Sequence, residues 1–190
     1  MLKQLATTVA LAATAFFSPV SAEEIVTVRG GLSLDREHTA LVQAINAAGV
    51  NVQVNVGSNC NSGSDGVYYP GRAVLAVCQD KAPQPHWSEV RWTANDLDTL
   101  RHEAVHLLQD CNAQDGVGGY TRLWFETEQE RIDFVQSALS QDKINWIIDT
   151  YAEAGADTFD IKAELEAFSI AATVSPGVLA NAITTTCSAY

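Results

Sequence analysis

The chain has 190 residues, is 47% hydrophobic and carries a formal net charge of −12. That length suits a single domain with a proper core. The acidic balance argues against nucleic acid and anionic membrane surfaces as partners, since basic patches supply the affinity for both; solubility outside the cell is reason enough for the charge.

In chain order, residues 1–22 read as a secretory signal. Lys3 precedes an apolar run from Leu5 to Phe17, Ser18-Pro19 breaks it, and Val20-Ser21-Ala22 has the small-residue spacing of a cleavage site. The run is too short to span a bilayer and no later segment is long enough, so stable membrane insertion is not expected. The expectation is a secreted or periplasmic protein with one mature domain over 23–190. Its four cysteines, Cys60, Cys78, Cys111 and Cys187, are an even number in an exported chain and predict two disulfides. Of three possible pairings, Cys60–Cys78 is preferred as a local clip and Cys111–Cys187 as a tie to the C-terminus. No two cysteines stand at CxxC spacing, which argues against cysteine metal ligands.

Leu34–Ala48 predicts a helix with Asp35 early and Gly49 as its stop. Val50, Val52, Val54 and Val56 alternate with polar residues and predict a strand with one buried face. Gly57–Gly66 reads as a loop containing Cys60. Tyr68-Tyr69 and Ala73–Cys78 predict further strands, broken at Pro70-Gly71, and Lys81–Pro85 a turn. A helix follows from Thr93, its cap, with Asp96 as capping-box partner, to Asp110. Asn112–Gly119 is a Gly-rich loop, and helices are expected over Arg122–Leu139, Asp142–Ala154 and Phe159–Val174. Ser175-Pro176-Gly177 then precedes a last short helix. A small sheet, a central helix and a helical C-terminal half make the fold class α+β. Trp87, Trp92, Trp124, Phe125 and Trp146 are expected to pack in the core, and the acidic run Glu126–Glu130 to be a solvated face.

The chemistry lies in His102-Glu103-Ala104-Val105-His106. On a helix, residues four apart share one face with Cβ atoms about 5–6 Å apart, close enough for two imidazoles to bind one Zn²⁺. Glu103 is turned beside the pair, where it can take a proton from water. Leu97, Leu100, Ala104, Leu107 and Leu108 form an apolar stripe on the opposite side, so the histidines face a cleft or solvent. Arg101 sits toward the apolar side and must snorkel or find a carboxylate. A catalytic zinc needs a third protein ligand. Positions 109 and 112 are Gln and Asn, which excludes an HExxHxxGxxH pattern. Ala163-Glu164-Leu165-Glu166-Ala167-Phe168 offers Glu164 or Glu166 from a later helix, and Ala167 is small enough to let that helix approach.

Taken together, HEAVH and a downstream helical Glu-x-x-Ala resemble the gluzincin branch of the zincin metallopeptidases, and the size and layout are similar to the small, single-domain minigluzincins. The resemblance implies that Zn²⁺ is held by His102, His106 and Glu164 and that Glu103 is the catalytic base for peptide-bond hydrolysis. Glu166-Ala167-Phe168-Ser169 is also a legal Glu-x-x-(small) frame, so Glu166 stays open as the third ligand. Phe168 stands where the family often has Asp or Asn. His86, Tyr120 and Tyr151 are candidate oxyanion donors by residue type. A peptide or protein substrate is expected to add as a strand at the edge formed by Ala73–Cys78. The alternative function is a non-enzymatic exported binding protein with a zincin-like fold or a structural metal site; the intact Glu103 favours the enzyme, because a structural site has no use for a base.

Overall fold

Local signals start and stop most elements where the residues predict. A computed structural model of the protein describes residues 26–28, 32–60, 63–83, 89–113 and 121–187. The expected signal segment, His86, Trp87 and Tyr120 lie outside the described residues. Asp35 caps the first helix, α1 (Arg36–Ala47), accepting from the His38 backbone N–H, and Gly49 ends it at φ +83°, where a side chain would be strained. Leu34, expected within this helix, instead closes an antiparallel ribbon of β1 (Val26–Val28) and β2 (Leu32–Leu34).

The valine alternation is shorter than expected. β3 spans Asn51–Val54; Asn55 then turns left-handed at φ +56° and buries its amide against Gln79, leaving Val56 exposed. Asparagine tolerates that conformation because its side chain bonds locally, and a valine does not. A short helix, α2 (Gly57–Cys60), occupies the start of the expected loop. β4 (Gly66–Tyr69) and β5 (Val74–Val77) flank a tight helical turn at Pro70–Arg72, where the break was predicted.

The three-stranded sheet has the order β3-β5-β4, with β3 parallel and β4 antiparallel to β5. This corrects one expectation. The Ala73–Cys78 segment is not an edge: β5 is central and paired on both sides. Its Val-Leu-Ala-Val sequence is apolar on both faces, as suits a covered strand. Among the described residues, the outer edge of β4 has no partner strand.

The motif helix is α3 (Ala94–Cys111), with the Thr93–Asp96 capping box as predicted. Its stripe of Leu100, Ala104, Leu107 and Leu108 is buried with α1, β5 and the C-terminal helix. The helix expected to open at Arg122 begins six residues later as α4 (Glu128–Ala138), because Thr127 and Glu130 form its capping box. α5 (Gln141–Glu153), α6 (Thr158–Thr173) and α7 (Pro176–Thr186) lie close to the predicted bounds. Trp92 and Phe125 pack on the core as expected. Trp124 and Trp146 do not: they are 38% and 48% exposed, and Trp146 carries the Lys143 ammonium 3.7 Å from its ring centroid. Glu126, Glu128 and Glu130 are exposed, as a solvated face requires.

The architecture is thus α+β, a small mixed sheet with helices. Both preferred disulfides form, Cys60–Cys78 and Cys111–Cys187, with Cα separations of 5.5 and 5.2 Å. The second ties the end of α3 to the end of α7 across 76 residues. By the loop-closure model, removing it with Cys111→Ala/Cys187→Ala costs about 4–5 kcal/mol, against about 3 kcal/mol for the shorter Cys60–Cys78 loop. Urea denaturation of the two double variants checks this order; equal losses would refute it. Among the described residues, no helix is long and apolar enough to cross a membrane.

Candidate metal centre

Two elements, α6 and β4, pack against α3 beside its histidines. α6 runs antiparallel to α3, held at two points: Arg101 Nε donates to the Ala171 carbonyl and Gln109 Nε2 to that of Ala163, each at 3.0 Å. Between them, the buried Ala163 and Ala167 allow the helices to approach. Arg101 thereby finds its partners, since its remaining donors reach Asp98 and His38. On the other side β4 lies hard against α3. A Cβ at Gly66 would come 2.5 Å from Thr99 Cγ2 and 3.1 Å from Glu103 Cγ. Gly66→Ala is therefore expected to destabilise the protein by about 1–3 kcal/mol, with partial recovery in Gly66→Ala/Thr99→Ser, which removes the clashing methyl. Chemical denaturation measures both; an unaltered midpoint for Gly66→Ala would refute the close approach.

His102 and His106 of α3 and Glu164 of α6 bring their ligand atoms together. The two Nε2 atoms are 3.1 Å apart, His102 Nε2 is 3.2 Å from Glu164 Oε2, and His106 Nε2 is 3.4 Å from Glu164 Oε1. This is the one such group of three among the described residues. The donors fit a metal ion. A tetrahedral ion with bonds near 2.0–2.1 Å sets its ligands about 3.4 Å apart. Glu164 Oε2 is buried without a hydrogen-bond partner among the described residues, which is costly for a carboxylate oxygen unless a cation takes it.

The electrostatics agree with a cation. Burial works against a charged His106, yet the carboxylates of Glu164 and Glu103 outweigh it and hold the imidazole up at about 9. Burial likewise opposes the Glu164 carboxylate, and the two imidazoles overcome it, pulling Glu164 well below its ordinary value. The cluster therefore favours a positive charge between its ligand atoms. Glu103 is different: burial dominates and pushes its carboxyl up, although a Tyr68 backbone N–H donates to it. A raised carboxylate is the stronger base.

Glu166, the other candidate ligand, does not join the group. It is fully buried on another face of α6, where its carboxylate accepts from Gln109 Nε2, the Trp124 and Phe125 backbone N–H groups and Arg131 Nε. These bonds also explain why residues 122–127 are not helical. Gln109, on the histidine side of α3, places its Oε1 2.8 Å from His106 Nδ1. Helical i,i+3 spacing from His106 was the available signal. Phe168 also belongs here, its ring centroid 4.3 Å from that of His102.

A cleft of about 470 Å³ opens over the three ligands and Glu103. Val67, Tyr68 and Pro70 form one wall, Tyr151 and Phe159 the other. Of the proposed oxyanion donors only Tyr151 falls within the described residues. Burial, then the nearby Glu164 carboxylate, raise Tyr151 far above its ordinary value and keep the phenol protonated. No protein-family model, no curated protein and no solved structure matches this chain, so the chemistry of the centre is read from its own donor atoms.

Proposed function

We propose that the protein is an exported zinc-dependent peptidase. The observation that carries this reading is the convergence of His102, His106 and Glu164 with the Glu103 carboxylate buried beside them at the floor of an open cleft. Two imidazoles and one carboxylate are the donor set of many catalytic zinc sites, where a fourth position stays open. A structural zinc is more commonly closed by four ligands, and it needs no neighbouring base. Two disulfides and the signal-like N-terminus fit export.

His102, His106 and Glu164 would hold the ion. When bound, zinc supplies Lewis acidity, polarising a carbonyl and bringing the pKa of water toward neutrality. Glu103 takes the proton of the attacking water and returns it to the leaving amine. Tyr151 offers a phenol O–H to the oxyanion that develops on the scissile carbonyl. The outer edge of β4 receives the substrate backbone as an added antiparallel strand beside the cleft.

The test is digestion of a mixed peptide library by the zinc-loaded protein, read by mass spectrometry. Cleavage that stops with a chelator and returns with zinc supports the peptidase. Zinc bound stoichiometrically without any cleavage rejects it in favour of a non-enzymatic binding protein.

A further inference from the structure

One buried carboxylate connects the candidate ligand His106 to the segment that borders the cleft. Glu166 takes four donors: Gln109 Nε2 at 3.1 Å, Trp124 N–H at 2.7 Å, Phe125 N–H at 3.3 Å and Arg131 Nε at 3.1 Å. Three of these come from Gln109 and from residues 124–125, which follow Thr121, a residue of the cleft lining, by a few positions. The Arg122 backbone N–H also donates to the Gln109 carbonyl at 3.0 Å.

Gln109 has one workable orientation. Its amide nitrogen donates both to the Ala163 carbonyl and to Glu166, both acceptors only. A flipped amide would set oxygen against oxygen at both places. The Gln109 oxygen is therefore the atom facing His106 Nδ1, and an oxygen requires a hydrogen there. An imidazole with its hydrogen on Nδ1 presents the lone pair of Nε2, and Nε2 is the atom that meets His102 and Glu164.

We propose that Gln109 and Glu166 are positioning residues: Glu166 fixes the Gln109 amide, and Gln109 makes His106 offer Nε2 to the metal ion. This rests on the metal-site reading above. The relay is separate from the more ordinary service of Glu166, which is to neutralise Arg131 inside the protein. An outer partner that sets the tautomer and orientation of a ligating histidine is worth about 10–100-fold in metal affinity.

The experiment measures Zn²⁺ affinity by chelator competition, and the visible spectrum of bound Co²⁺, on purified disulfide-bonded protein. The variants are Gln109→Met, Glu166→Gln and the two combined, each compared per folded molecule by near-UV circular dichroism. Each single variant is expected to weaken Zn²⁺ binding about 10–100-fold and to shift the Co²⁺ bands. The double variant should be no weaker than the worse single one, because Glu166 acts through Gln109. Wild-type affinity in both single variants overturns the relay, and so does full additivity in the double. Should Gln109→Met fail to fold, Glu166→Gln, which keeps the side-chain shape, decides alone: unchanged affinity and spectrum overturn the relay. A wild type that binds neither ion overturns the metal site and the relay together.

Discussion

Glu164→Ala is expected to raise the dissociation constant for Zn²⁺ by more than about 100-fold, beyond the range for loss of an outer partner. Glu164 supplies the only carboxylate oxygens among the three converging ligands, and the charge that draws a cation to His102 and His106. Without it, two imidazoles remain on one helix. The effect is visible as lost stabilisation. At a zinc concentration 100 times the wild-type dissociation constant, binding stabilises the folded wild type by about 2.7 kcal/mol. Thermal melts with and without zinc should show that gain in the wild type and almost none in the variant. A Glu164→Ala protein that retains stoichiometric zinc would remove Glu164 from the site.

Glu103→Gln separates chemistry from metal binding. The amide nearly matches the carboxylate in shape, and Glu103 is not one of the converging ligands, so zinc content at saturating metal should stay at the wild-type level. What disappears is the base. General-base catalysis contributes about 10²–10⁴-fold, and kcat for peptide cleavage is expected to fall by that factor with little change in KM. Burial makes this carboxylate the natural choice, since desolvation raises its basicity while the Tyr68 backbone N–H holds it in place. Steady-state kinetics of a cleaved library peptide decide the matter. If the variant turns over as fast as the wild type, water is activated by another group.

Much of the fold was legible because its signals are local. Thr93 and Asp96, Asp157 and Asp160, Ser140 and Ser175 cap helices through bonds to residues two or three positions away, so their sequence spacing carries the structure. The HEAVH spacing likewise places both histidines on one face of α3 before any partner is known. Even the disulfides were readable, because four cysteines leave only three pairings.

Other features depend on what packs where. Residues 122–127 read as helix by composition, yet the Trp124 and Phe125 N–H groups are taken by Glu166, a residue about forty positions away in the chain. Trp146 looks like a core residue and stands half in solvent beside Lys143. Strand order is equally non-local: an apolar Val-Leu-Ala-Val run suits a central strand, but only the parallel pairing with β3 and the antiparallel pairing with β4 make β5 central and leave the β4 edge open.

The division is sharpest at the site. By itself, the sequence determined the paired histidines, the glutamate beside them and two candidate carboxylates on a later helix. Periodicity left Glu164 and Glu166 both open, with only the family resemblance favouring Glu164, because two residues of spacing on a helix apolar on both sides do not say which face meets α3. Tertiary structure separates them through the antiparallel docking of α6, which turns Glu164 to the imidazoles and Glu166 to Arg131 and Gln109. Helical periodicity places side chains around an axis; only packing decides which neighbour each direction meets.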